Sequence, residues 1–162
     1  MHAVEQLNVN AEISAVFAGF IAVFVAFVGR DGRFAKADGH FVQAMVLANM
    51  YTIALALLVP VLGLIIAEEQ AWYWSSLAAV AIAAPIGAYQ TIMQFKMPDD
   101  ESQKISILWH LPGWALAWAT ALAYLAALLA WGPTPGFYVA GNTLSLAIAI
   151  WCFVAIVFRK FF

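Results

Sequence analysis

Five long apolar runs divide this chain, at residues 11–29, 41–67, 71–95, 105–131 and 137–158. Apart from Glu12, every Asp, Glu, Lys and Arg lies outside them. Each run reaches the ~20 residues that a helix needs to cross the hydrocarbon core of a bilayer. Hydrophobic residues make up 65% of the chain and charged residues 10%, against ~25% charged in a soluble domain. A soluble fold could not keep so much apolar surface from water, so lipid must be the solvent for most of it. The predicted fold is all-α: a polytopic membrane bundle of five transmembrane helices in up-down order, one transmembrane domain over residues 1–162.

Lys and Arg set the expected orientation. Arg30, Arg33 and Lys36 lie between the first two runs, Lys96 and Lys104 between the third and fourth, and Arg159 and Lys160 after the fifth. All seven basic residues fall on one side if the spans alternate; four or six spans would break that agreement. The N-terminus is therefore expected outside and the C-terminus in the cytoplasm, in a cell (inner) membrane. Trp72, Trp74 and Trp131 would mark the outer interface, and Trp109, Phe161 and Phe162 the inner one. No Lys or Arg precedes the first run, so it does not read as a cleaved signal peptide.

Spans in lipid associate through close packing of small residues and interhelical hydrogen bonds. Stripes at helical spacing supply such faces. They run Met45, Asn49, Thr52, Ala56, Pro60 in the second span and Ser76, Ala79, Ala83, Gly87, Gln90, Gln94 in the third. The fourth has His110, Gly113, Ala117, Thr120, Tyr124, and the fifth Asn142, Ser145, Ala149, Cys152. The first span carries Ala15, Ala18, Ala22 and Ala26 on one face and Phe17, Phe20, Phe24 and Phe27 on another. The small face should pack inward and the Phe row should meet lipid or a neighbouring subunit. Pro60, Pro85 and Pro112 each remove a backbone donor; Pro112 would cost little in a first helical turn.

On this topology His40, Gln43, Gln90, Gln94 and His110 sit near the cytoplasmic face, with Asn49 somewhat deeper. They are expected to converge on one polar pocket in the inner half of the bundle. Polar groups inside a membrane are costly unless partnered and are functional candidates by default. Asn49, Gln90, His110, Thr120, Tyr124 and Asn142 would form a conduit for a small solute, and Gln43, Asn49, Gln90, Gln94, Tyr124 and Asn142 are its candidate pocket residues. His40 and His110 alone would suit b-type haem as two axial ligands. No Cys, Asp or Glu joins them within a span, so a closed four-ligand metal site is not expected.

Several classes drop out. No mid-span carboxylate or base supports an ion pump, and no mid-span lysine could hold retinal. P-loop, GxSxG, HExxH and CxxC patterns are missing, which argues against the usual enzymes. The net charge of -2 and lack of a basic patch argue against nucleic acid. The lone Cys152 forms no internal disulfide. With no room for a soluble domain, the leading expectation is a non-catalytic accessory or scaffold subunit of a larger membrane assembly. Its partners would be the lipid bilayer, other membrane subunits or further copies of itself. No cofactor is required by that reading; a small-solute transporter and a haem-binding subunit are the alternatives.

Overall fold

The computed structural model describes residues 2–30, 36–95, 107–130 and 135–161. They form five α-helices: α1 (His2–Arg30), α2 (Lys36–Gly63), α3 (Glu68–Phe95), α4 (Ile107–Leu129) and α5 (Pro135–Phe161). Each includes a stretch long and apolar enough to cross a membrane. The protein is thus an all-helical, multi-pass membrane bundle.

The helices differ from the apolar runs at their ends. α1 begins at His2 rather than near residue 11, and it carries Asn10 into the bundle. α2 stops at Gly63, short of residue 67, and turns at residues 64–66 lead towards α3. Pro112 lies beyond the first turn of α4, so its ring interrupts the backbone ladder instead of starting it. The apolar window of α4 nevertheless begins at His110.

Contacts define two ends of the bundle. At one, the start of α2 meets the end of α5 through Asp38 and Arg159, 3.0 Å apart. There too the rings of His40 and His110, near the starts of α2 and α4, lie 6.5 Å apart. At the other end, Trp72 early in α3 packs edge-on against Tyr138 early in α5, at 5.6 Å. Tyr138 donates to the Leu55 carbonyl of α2 at 2.8 Å, and its ring meets Tyr124 of α4 at 5.2 Å. We refer to these as the histidine end and the tyrosine end.

α2 and α5 form the centre. Within their apolar windows 39% and 44% of residues are buried, against 22% in α1 and 11% in each of α3 and α4. α1 packs on one side of this pair, while α3 and α4 close the other side. The α2–α5–α1 side is filled by two apolar clusters, one around Leu7, Leu55 and Tyr138 and one around Ile21, Met45 and Ile156. Helices α2, α3, α4 and α5 surround a four-sided space.

The predicted faces of α2 and α5 pack inward as expected, while those of α3 and α4 bury Ser76, Ala79, Thr120 and Tyr124 but leave Gly87 and Ala117 exposed. Met45, Asn49, Thr52 and Ala56 are buried, as are Asn142, Ser145, Ala149 and Cys152. α1 is reversed. Phe17, Phe20 and Phe24 lean on Phe153 of α5, with ring centres 5.6, 5.2 and 5.2 Å away. Glu12, Ala15, Gly19, Ala22 and Ala26 face outward, and a methyl group on Gly19 would meet nothing within 4 Å. Aromatic edge-to-face contacts decide the choice, because α1 rests in the shallow groove between α2 and α5, where large rings fill space that alanines would leave empty. Trp72 also departs from expectation. It is buried in the core, with its indole N–H towards Glu68 at 3.4 Å, while Trp74 is exposed. Trp131 and Phe162 fall outside the described residues, as do the side chains of Trp109 and Phe161.

Candidate functional site

The space among α2, α3, α4 and α5 is a cavity of about 760 Å³, within the ~300–1,000 Å³ typical of small-molecule sites. It starts at His40 and His110 at the histidine end and reaches Tyr51, Val80 and Thr120. From His40 to Tyr51 the rise along α2 is about 16 Å. The sequence makes this hollow because the facing positions are small. Ala44 and Ala48 of α2, Ala83 and Gly87 of α3, and Gly113 and Ala117 of α4 all border it. Flat aromatic side chains, Phe41, Trp114 and Trp151, form the rest of the wall near the histidines.

Three polar side chains mark the histidine end. His40 and His110 are half-buried. The His110 ring stacks on Phe41 at 5.5 Å with 13° between planes, and on Trp114 at 6.2 Å. The amide nitrogen and oxygen of Gln90 are both buried and have no hydrogen-bond partner. An unmade hydrogen bond of this kind costs about 1–3 kcal/mol. A native bundle keeps such a group where something else, a ligand or a water, completes it.

The cavity also opens sideways. Trp118 borders it and is 72% exposed, and Ile92 borders it at 52% exposed. These residues belong to α4 and α3, the two least buried helices.

Not every expected pocket residue is here. His40, Gln90 and His110 converge as the sequence suggests, and Thr120 lies at the deep end. Gln43 does not line the cavity; it points to the exposed surface and donates to the Tyr89 hydroxyl at 3.2 Å. Gln94 lies in α3, but its side chain is outside the described residues. Asn49 is buried away from the cavity, with its amide on the Met45 carbonyl at 3.1 Å. Tyr124 belongs to the tyrosine-end core. Asn142 accepts from Asn10 at 3.0 Å and donates to the Thr52 carbonyl at 2.9 Å, pinning α1, α2 and α5 together. The predicted pocket and conduit residues are therefore divided among the cavity, the exposed surface, the buried face of α2, the tyrosine-end core and an interhelical clamp.

Two residues were invisible as participants. Asn10 preceded the first apolar run and so read as tail. Asp38 lies outside the apolar runs, in the connection between the first two, yet it is buried and paired with Arg159. The available signal for Asp38 was an acidic residue in what proves to be the first turn of α2, where the helix dipole favours it.

Fold and cavity together define a class, that of small polytopic helical membrane proteins with an internal cavity. No protein family, curated protein or solved structure matches this chain.

Proposed function

We propose that this protein is a membrane-embedded binding subunit whose cavity holds a lipid-soluble molecule. The carrying observation is the cavity itself, apolar along its length, polar at one end and open to the bilayer at Trp118. Such a space suits an amphiphilic or flat ligand with its polar part at His40, Gln90 and His110. A hydrophilic solute has little to bond with beyond that end. The seven Lys and Arg residues, clustered in the connections at the histidine end, support up-down order with that end at the cytoplasmic face of a cell (inner) membrane.

The test is native mass spectrometry of the purified protein, with Gly87→Leu as the comparison. Gly87 lines the cavity and an added Cβ there would meet nothing within 4 Å, so a leucine is placed at the cavity wall. A bound molecule kept by the wild type and lost in the variant supports the reading. Equal occupancy in both, or none in either, sinks it.

A separate observation supports assembly into a larger complex, built from copies of the same chain. The outward stripe Ala15, Gly19, Ala22, Ala26 has the small-residue spacing that lets membrane helices approach closely. Glu12 heads this stripe and lies within the apolar window of α1. Its neighbour Asn10 bonds to Asn142, about 10 Å inside the start of α5. A carboxyl at that depth is unfavourable facing acyl chains. Two copies packed through this face would take the Glu12 carboxyls out of contact with acyl chains.

A further inference from the structure

We propose that the cavity holds an uncharged single-chain lipid whose head group places a hydrogen-bond donor beside an acceptor, a monoacylglycerol or a protonated fatty acid, paired with the Gln90 amide. The inference rests on the cavity being a ligand site and names the class of ligand.

The polar groups along the cavity decide the head group. The hydroxyls of Tyr51, Thr91, Thr120 and Ser145 border it, and each already donates to a backbone carbonyl, those of Ala79, Gly87, Leu116 and Gly141. Gln90 is different. Its amide nitrogen and oxygen are both buried and both unpartnered, so it lacks an acceptor and a donor at once. A quinone or an ester offers acceptors only and would leave the Gln90 oxygen unpaired. A carboxylic acid or a 1,2-diol carries both functions on neighbouring oxygens and completes the two halves of the amide together.

Charge narrows the choice further. Among the described residues no Asp, Glu, Lys or Arg borders the cavity. The ion pair at this end, Asp38 with Arg159, is closed at 3.0 Å. An ionised head group, a phosphate included, would be buried at the amide without a counter-charge, a cost that a neutral one avoids.

The rings fix where the head group lies. Gln90 is level with the start of α2, since its neighbour Tyr89 accepts from Gln43 at 3.2 Å. The Phe41 ring centre is 6.1 Å from His40 and 5.5 Å from His110, which fills the space between the two imidazoles. A planar macrocycle cannot be held between them, and the head group sits beside this aromatic wall. From there the chain runs towards Tyr51, about 16 Å along α2. Ala44, Ala48, Ala83 and Gly113 border that path and offer the chain apolar surface without blocking it.

The experiment adds 1-monooleoylglycerol, oleic acid or decylubiquinone to the purified full-length protein in detergent, at acid and at alkaline pH. Binding is read by native mass spectrometry. Monooleoylglycerol bound equally at both pH values supports the proposal with a diol head; oleic acid bound at acid pH and lost as its carboxyl ionises supports it with a carboxyl head. Decylubiquinone, an acceptor only, should bind at least tenfold more weakly. Gln90→Leu should weaken binding of the favoured lipid about tenfold, while the ligand-free variant keeps or raises its Tm because an unpaired buried amide is gone. A glutamine that merely held the helices together would lower that Tm. Decylubiquinone bound as tightly as the favoured lipid, binding that Gln90→Leu leaves unchanged, or no binding of either lipid overturns the proposal. If one of these happens while a bound molecule is still lost on Gly87→Leu, the ligand cavity stands and only the head-group assignment falls.

Discussion

Gly141 shows how one residue sets a helix contact. A Cβ placed there would lie 3.0 Å from the Tyr124 ring, and Tyr124 is wholly buried. The ring has nowhere to retreat, so Gly141→Ala should destabilise the bundle by about 1–3 kcal/mol, the usual range for overpacking. Gly113→Ala is the control, because its Cβ would meet Trp151 at an ordinary 3.6 Å. Thermal unfolding in one detergent should show a lower Tm for the first and little change for the second. The Asn10–Asn142 clamp makes a second prediction at this scale. A double-mutant cycle with Asn10→Ala and Asn142→Ala should give a coupling of about 0.6–1.7 kcal/mol, as for hydrogen bonds in other membrane bundles. A coupling near zero would mean that the two amides find substitutes when separated.

At the scale of elements, Asp38 and Arg159 tie the first turn of α2 to the last turns of α5. The Asp38 side chain is 1% exposed and that of Arg159 19%, so the pair is neither buried outright nor free in solvent. Asp38→Asn should cost more than the ~0–1 kcal/mol of a surface pair and less than the ~3–5 kcal/mol of a fully buried one. The loss should appear as fraying at the histidine end, read by faster hydrogen exchange at the start of α2. α1 is the element whose packing the sequence misread. Its alanines and its phenylalanines are both regular stripes, and periodicity alone does not say which one turns inward. If copies associate through the alanine stripe, Ala22→Cys should crosslink under oxidation, since the native Cys152 is buried. Gly19→Ile should abolish that crosslink. Crosslinking that survives Gly19→Ile would place the contact elsewhere.

For the whole molecule, the organising fact is asymmetry about the α2–α5 pair. One side is filled by α1 and its aromatic rings; the other is held apart by α3 and α4 and left hollow. Rows of Ala and Gly on both sides of a gap read as close-packing surfaces, and between α4 and α5 they are. Between α2, α3 and α4 the same residue types border a cavity, because four helices around a square cannot all touch across its diagonal. This is why the sequence found His40, Gln90 and His110 as a group but assigned them the wrong companions. Their common depth follows from counting residues along each span. Which way Asn49, Tyr124 and Asn142 point depends on how each helix is rotated, and that rotation is set by neighbours distant in sequence.

The sequence by itself determined that the chain is a helical bundle with five segments able to cross a membrane. Segment length and the exclusion of charge from lipid are local properties, readable one run at a time. It also determined that the two histidines and Gln90 lie at one end, since alternation of spans leaves no other arrangement of short connections. Only the tertiary structure decided that Phe17, Phe20 and Phe24 of α1 lean on Phe153, that Asn10 and Asp38 are buried and partnered, and that a cavity exists at all. Each of these depends on packing between helices, where the energy lies in contacts such as that of Asn10 with Asn142, 132 positions apart, and no single stretch of sequence carries the answer.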